Sequence, residues 1–158
     1  MANIEKAIQI AARAHEGQVD KQGLPYILHP LRVMDGVEGL DAKIVAVLHD
    51  VVEDTPVTLD DLEREGFTGE ILAAIRCVTH AEGETYAEYV VRCRDNPIGR
   101  RVKLSDLADN TRLSRTIVRP QELARDTARF AKYLLSYSFL TGQITEEQYR
   151  AAMPEVEG

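Results

Sequence analysis

One apolar run with a polar stripe constrains this fold more than any other feature. Residues 42 to 54 read AKIVAVLHDVVED, and the polar residues near its end are His49, Asp50, Glu53 and Asp54. On a helix, side chains three and four positions apart share a face, so these polar groups lie together while apolar residues cover the other sides. The run predicts a helix capped by Asp41, halted by Pro56 and largely surrounded by protein, whose polar side faces a cation, water or basic partners.

Helical patterns occupy the rest of the chain as well. Apolar residues recur at helical spacing from Ile4 to Ala14, and Gly17 suits the end of that helix. Further helices are predicted to begin at Pro30, Thr58, Asn96-Pro97, Pro120 and Thr145 and to span 69–78 and 86–94. No pair of alternating strands joined by a turn is present, and no linker divides the 158 residues. We therefore expect an all-α fold that forms one domain over residues 1–158.

The charge of the chain narrows the classes of molecule that it could bind. A net charge of −7 argues against a broad surface for nucleic acid or for an anionic membrane. Within this acidic chain, however, residues 92–119 carry eight basic and three acidic side chains. This basic segment indicates either a site for a small polyanion or a solvated helix face with salt bridges, and charge alone leaves both open.

The start of the chain and its cysteines predict a cytoplasmic protein. The first residues, MANIEKAIQIAARAHEG, are charged and hold no apolar block before a cleavage site, and no stretch reaches the roughly 18 apolar residues of a membrane span. Cys77 and Cys93 are isolated, without the spacing of a disulfide framework or a cysteine zinc site. We expect no membrane partner and two small buried or surface cysteines.

The polar stripe is also the centre of a candidate metal site. His29 lies at a loop-to-helix junction and Asp106 inside a helix of the basic segment, and with His49 and Asp50 they form a set of two histidines and two aspartates. Imidazole and carboxylate ligands together suit Mn, Fe, Zn or Co. Buried salt bridges on the helix surface are the alternative interpretation of the same residues.

The order of these residues resembles the HD superfamily of metal-dependent phosphohydrolases. The stretches AARAHEGQVDKQGLPYILHPLRV, AVLHDVVEDTPVTLDDL, VTH and VKLSDLADNTRL are similar, in order, to the hydrolase domain of the RelA/SpoT family and its small stand-alone alarmone hydrolases. The resemblance covers about residues 7 to 115 and implies the helical bundle of HD domains. It also implies Mn²⁺ bound by His29, His49, Asp50 and Asp106.

The resemblance places the family's acidic pair on Glu53 and Asp54. A carboxylate next to a metal-activated water can accept or orient its proton during attack on phosphorus. In this family the reaction removes pyrophosphate from the 3′ position of guanosine tetraphosphate or pentaphosphate. The substrate implied is thus a small nucleotide, with no nucleic acid partner.

Three more matched positions are expected to contact the substrate. Lys21 corresponds to a phosphate-contacting lysine, and Asn110 and Arg112 to an asparagine and arginine beside the nucleotide's sugar and phosphates. The structural alternatives are a solvated loop charge for Lys21, a local helix hydrogen bond for Asn110 and a salt bridge for Arg112.

The chain departs from the family pattern at two places. Asp20 stands where the family has an arginine that packs on the guanine ring, and Leu107-Ala108-Asp109 replaces the usual Arg-Leu-His. An aspartate cannot stack on a base. The metal-dependent phosphohydrolase is therefore the firmer expectation, and guanosine tetraphosphate as its substrate the weaker one.

Other residues carry simpler expectations. His15 and Tyr26 are predicted to pack, and His80 to be exposed. The apolar face of residues 121–142 is predicted to pack in the core, with the contact face of a homo-oligomer as the alternative.

Three functional hypotheses follow from these residues. The first is an alarmone 3′-pyrophosphohydrolase, and the second is an HD phosphohydrolase for another nucleotide or small phosphate ester. The third is a non-catalytic nucleotide-binding or scaffold protein that keeps the helical bundle.

Overall fold

The computed structural model describes residues 2–157, without the side chain of residue 157, and is helical almost throughout. Its helices are α1 (Ile4–Ala14), α2 (Leu28–Asp35), α3 (Leu40–Leu48), α4 (Val51–Asp54), α5 (Leu59–Arg64), α6 (Gly69–Val78), α7 (Tyr86–Arg94), α8 (Pro97–Asn110), α9 (Leu123–Leu140), α10 (Glu146–Ala152) and α11 (Pro154–Glu157). A 3₁₀ turn, Pro120–Glu122, precedes α9. Within residues 2–157 there is no strand, and one isolated bridge joins Val19 to Pro25.

Helices α3 and α8 form the centre of the bundle. Helix α3 packs against α1, α2, α6 and α8, and α8 packs in turn against α2, α6, α7 and α9. Every residue from Ile44 to Leu48 is buried, as the apolar run predicted. The site residues at the ends of these two helices are therefore held by elements packed on several sides.

The helix starts follow the capping residues that the sequence offers. Thr58 with Asp61, Thr85 with Glu88, and Thr145 with Gln148 form reciprocal capping boxes, in which each side chain bonds the backbone N–H at the other position. The Asn96 side chain accepts from two backbone N–H groups at the start of α8, where Pro97 occupies the first position.

Some predicted boundaries are wrong. Gly39 precedes α3 in place of Asp41, because its φ of +88° gives the turn between α2 and α3 a left-handed backbone. Helix α2 begins at Leu28, so Pro30 is its third residue rather than its first. The three residues Pro120–Glu122 form a 3₁₀ turn rather than part of the long helix.

The predicted continuous helix over 42–54 is also wrong, because it breaks at His49 and Asp50. The His49 Nδ1 atom lies 2.7 Å from the carbonyl oxygen of Ala46, and this contact competes with the amide of Asp50 for the same acceptor. The chain turns here and resumes as the short helix α4. The break places the His-Asp doublet at a junction, with Glu53 and Asp54 on a separate turn.

Candidate metal centre and adjoining cleft

The structure brings the four predicted metal ligands together. His29 Nε2 lies 3.2 Å from Asp106 Oδ1 and 3.6 Å from Asp50 Oδ2, and His49 Nε2 lies 3.1 Å from Asp50 Oδ2. Ligand atoms of His29, His49 and Asp106 all lie within 4.8 Å of one another. These residues come from α2, α8 and the junction after α3, so the bundle itself assembles the cluster.

Each histidine is oriented by its other ring nitrogen. His29 Nδ1 lies 2.7 Å from Asp109 Oδ2, and His49 Nδ1 lies 2.7 Å from the carbonyl oxygen of Ala46. Both acceptors favour a proton on Nδ1, which leaves the lone pair of Nε2 directed at the cluster. Partners of this kind typically orient metal-binding histidines.

The cluster fits a divalent cation. His49 Nε2 is buried and lies 3.1 Å from Asp50 Oδ2, but it makes no aligned hydrogen bond with a described residue. A buried nitrogen without an aligned hydrogen bond costs free energy, and a bound cation would remove that cost. Two imidazoles and two carboxylates are donors that Mn, Fe, Zn and Co accept.

The pKa values of the cluster show that it attracts positive charge. Burial disfavours the charged form of His49, but Asp50 and Asp106 outweigh it and raise its pKa well above 6.5. Burial also opposes ionisation of Asp50, yet His49 and His29 lower its pKa to about 2. The two carboxylates therefore remain ionised together, and a divalent cation can take the place of the protons they attract.

Neighbouring donors fix the carboxylates of the cluster. Lys103 Nζ donates to Asp106 Oδ2 at 2.8 Å, and Asn110 Nδ2 donates to Asp106 Oδ1 at 2.6 Å. The Tyr26 hydroxyl donates to Asp50 Oδ2 at 2.6 Å. Asn110 thus makes the local helix hydrogen bond that was the alternative for it, and Tyr26 positions a carboxylate as well as packing.

Three residues of the cluster, His29, Asp50 and Asp106, line a cleft of about 490 Å³, which Glu53 and Asp54 also line. Glu53 Oε2 accepts the backbone N–H of His80 at 2.9 Å, which holds the carboxylate at the wall. Burial raises the pKa of Glu53 and of Asp54, and the Asp50 carboxylate adds to both shifts. A carboxylate with a raised pKa is a better proton acceptor.

Cations also line this cleft. Its lining includes Lys21 and Arg129 together with the rings of Phe130 and Tyr133. Burial, with Arg129 and Arg119 nearby, lowers the pKa of Lys21. The combination of cations and aromatic rings next to the cluster suits a ligand with a polyphosphate and a ring system.

Asp20 organises the loop that carries Lys21. Its Oδ1 accepts the backbone N–H groups of Gln22 at 2.8 Å and Leu24 at 3.0 Å, and its Oδ2 faces Arg115 Nη2 at 3.7 Å. The carboxylate is therefore committed to the loop, and it leaves no base-stacking side chain at this position.

Arg112 alone among the predicted site residues lies away from the cleft. Its side chain lines a second cleft on another side of α8 and makes no hydrogen bond or ion pair with any described residue. The salt bridge that was the alternative for Arg112 is likewise not formed within the described chain.

Sequence reasoning missed three residues around the cluster: Asp109, Lys103 and Arg115. Asp109 binds His29, Arg32 Nε at 2.9 Å and Arg115, so it forms a buried link between a candidate ligand and two guanidinium groups. The spacing of Asp106, Asp109 and Asn110 at i, i+3 and i+4 places them on one helix face and could have indicated Asp109. Arg115 follows α8 in an irregular segment, and its position carries no comparable signal.

On α9 the prediction of core packing is only partly right, because Leu140 is buried whereas Leu134 and Tyr137 are exposed. The predictions for His15, His80 and the cysteines agree with the structure. His15 is buried, with Nδ1 2.8 Å from Gln18 Oε1, and His80 is exposed. Cys77 and Cys93 are buried free thiols. In residues 2–157 no helix has the length and apolarity needed to span a membrane.

Known proteins are similar to this chain in sequence over most of its length. A GTP pyrophosphokinase of Streptomyces coelicolor is 37% identical over 142 residues, which cover 80% of this chain and 17% of that protein. The bifunctional (p)ppGpp synthase/hydrolase SpoT of Escherichia coli is 32% identical over 143 residues, covering 78% of this chain and 20% of SpoT. The chain is a homologue of the RelA/SpoT proteins. It spans about a fifth of the length of these relatives.

A solved structure confirms the expected fold of this RelA/SpoT homologue. A metazoan ortholog of SpoT, described as hydrolyzing ppGpp, superposes with a TM-score of 0.69 at 25% identity, covering 99% of this chain and 94% of that one. The all-α HD-type bundle predicted from the sequence is therefore the observed fold. No protein-family model matches the chain.

Proposed function

We propose that this chain is a Mn²⁺-dependent phosphohydrolase that removes pyrophosphate from the 3′ position of guanosine tetraphosphate and leaves GDP. The observation that carries the proposal is the cluster of His29, His49, Asp50 and Asp106 at a cleft that Glu53 and Asp54 also line. The names of relatives support the substrate, since SpoT is a (p)ppGpp synthase/hydrolase and its metazoan ortholog hydrolyzes ppGpp.

The four clustered residues would hold the cation. A bound divalent metal supplies Lewis acidity toward a phosphoryl oxygen and lowers the pKa of water. Asp109 and the Ala46 carbonyl would keep the two imidazoles in the tautomer that can bind it, and Lys103 and Asn110 would hold the Asp106 carboxylate in place.

The acidic pair would serve as proton acceptor. In the reaction a water oxygen forms a bond to the phosphorus attached to the 3′ oxygen, and the bond from that phosphorus to the 3′ oxygen breaks. Pyrophosphate leaves, and the 3′ oxygen takes up a proton to become the 3′-hydroxyl of GDP. Glu53 or Asp54 accepts the proton of the attacking water, for which their raised pKa values suit them. Lys21 and Arg129 would hold the phosphate oxygens and stabilise the charge that develops on them.

A specific observation favours a second candidate, an HD phosphohydrolase for another nucleotide or phosphate ester. Asp20 holds its loop by two backbone hydrogen bonds, so no arginine stacks on a base there. Guanine would then be held by other rings of the cleft, such as Phe130 or Tyr133, which accept other bases equally well.

The test is turnover of a nucleotide panel by Mn²⁺-loaded protein. We expect guanosine tetraphosphate to give GDP and pyrophosphate, with at least a hundredfold loss in Glu53→Gln at unchanged Mn²⁺ content. Glu70→Gln, which changes an exposed carboxylate in the first turn of α6, is the matched control and should keep full activity.

Two other results are informative. Turnover of a different nucleotide with none of guanosine tetraphosphate would replace the first proposal with the second. Mn²⁺ binding without turnover of any substrate would favour the non-catalytic scaffold. A cytoplasmic location, the use of Mn²⁺ over other metals and assembly into a homo-oligomer stay predictions.

A further inference from the structure

A second cleft, of about 440 Å³, lies between α2, α8 and Tyr137 of α9. It shares no lining residue with the cleft at the metal cluster. Three arginines line it: Arg32, Arg101 and Arg112. Val37 and Leu104 give it an apolar wall.

The three guanidinium groups have more donors than their protein partners use. Arg112 makes no side-chain hydrogen bond or ion pair with the described residues, and Arg101 donates only to the backbone carbonyls of Pro97 and Glu38. Arg32 donates through Nε to Asp109, while its Nη2 is buried and has no partner in residues 2–157. Each group thus keeps N–H donors that a bound acceptor could use.

The acidic residues of this cleft only partly neutralise these cations. Asp109 accepts from Arg32 Nε at 2.9 Å, but it is also bonded to His29 and Arg115. The Glu38 carboxylate is exposed and forms no ion pair with a described residue; only its backbone carbonyl meets Arg101. Three arginines against the two carboxylates of Glu38 and Asp109 leave a net positive cleft on a chain whose overall charge is −7.

Arginine in such an arrangement selects for a particular kind of anion. Its planar fork of donors matches the oxygens of phosphate, and the bonds are charge-assisted on both sides. The apolar wall of Val37 and Leu104 would contact a carbon body attached to that phosphate.

We propose that this second cleft binds a phosphate group, with Arg101 and Arg112 as its main donors and Arg32 as a third. The group is carried either by free inorganic phosphate or by a small phosphate monoester. The proposal goes beyond the hydrolytic reaction proposed above, because no residue of the metal cluster or the acidic pair lines this cleft; Asp109 links its Arg32 to His29.

In the experiment, metal-free protein is kept in chelator and titrated with inorganic phosphate. Binding is measured by calorimetry and by the shift of the amide resonance of Gly36, which lies in the second cleft. Arg101→Gln and Arg112→Gln remove cleft donors at exposed positions, and Lys21→Gln removes a cation of the first cleft as the matched control. We expect at least a tenfold weaker phosphate affinity in each arginine variant and an unchanged Gly36 shift in Lys21→Gln.

A second arm distinguishes the two sources of the phosphate group. Phenyl phosphate should bind more tightly than inorganic phosphate if a monoester is the natural ligand, and Leu104→Ala should remove that advantage. Equal affinities would assign the cleft to free phosphate. The proposal is overturned if phosphate leaves the Gly36 resonance unmoved, or if Lys21→Gln abolishes all binding while both arginine variants bind normally.

Discussion

The link between His29 and Asp109 gives the sharpest prediction. Replacing Asp109 by asparagine keeps the shape of the side chain and removes its charge. The carboxylate is 4% exposed and lies 2.7 Å from His29 Nδ1, so the substitution removes a charged acceptor from the imidazole without opening a cavity.

The expected loss of Mn²⁺ affinity follows from the role of groups that orient a metal-binding histidine. Loss of the group that orients a ligating histidine costs about 10- to 100-fold in metal affinity, or about 1.4 to 2.7 kcal/mol. Arg32 and Arg115 also lose an anionic partner. Their side chains are 27% and 16% exposed, so water can replace part of that contact and we expect a stability loss of about 1 to 3 kcal/mol.

The assay is Mn²⁺ titration calorimetry on folded protein, with circular dichroism to establish that the variant keeps its helices. Asp126→Asn is the matched control, because Asp126 is a buried carboxylate held by Arg119 and Arg129 that contacts no histidine. It should leave Mn²⁺ affinity unchanged. A folded Asp109→Asn protein that binds Mn²⁺ within twofold of wild type would refute the view that Asp109 orients His29.

Three further predictions concern stability. Lys103→Met leaves the buried Asp106 carboxylate without its 2.8 Å cation, so urea unfolding in chelator should show a loss of about 3 kcal/mol that Mn²⁺ partly restores; equal loss with and without Mn²⁺ would contradict this. Hydrogen bonds from Arg119 hold the pKa of Asp126 below 3.8, so its stabilisation is complete above that pH and is lost as the pH falls through the lowered pKa. The melting temperature of Asp126→Asn should therefore lie below wild type at pH 7 and approach it under acid conditions, and a constant gap would argue against the ion pair. Thr85→Ala removes one half of the capping box on α7 and should cost about 1 kcal/mol in urea unfolding, whereas a change below about 0.3 kcal/mol would show that the cap adds little.

Local signals in the sequence predict much of this fold. The capping boxes at Thr58 and Thr145 and the Asn96-Pro97 start were read from residues three positions apart or adjacent, and the structure contains each of them. Short-range hydrogen bonds decide these features, so a single sequence is sufficient to find them.

The break in the helix after Leu48 is a feature that local sequence signals do not predict. Helical periodicity continues through His49 and Asp50, and nothing in the pattern reveals that the His49 ring takes the Ala46 carbonyl. The choice depends on the cluster that His49 joins, which residues far along the chain complete. Tertiary contacts therefore override the local preference.

Long-range pairs account for the parts of the site that were missed. His29 and Asp109 are 80 positions apart, and only the packing of α2 against α8 brings them together. The position of Arg112 is the reverse case, since its place in the motif predicted a substrate contact but the turn at the end of α8 directs it into the second cleft. Side-chain direction at a helix end is not set by motif spacing.

One measurement tests the central claim most directly, namely that the four clustered residues form a metal centre required for hydrolysis. Metal-stripped protein is titrated with Mn²⁺ while pyrophosphate release from guanosine tetraphosphate is followed, in wild type and in Asp106→Asn. We predict that turnover is absent without metal, rises until one equivalent of Mn²⁺ is bound, and stays absent in Asp106→Asn at the same concentrations. Full turnover by the stripped protein, or by Asp106→Asn, would contradict the account.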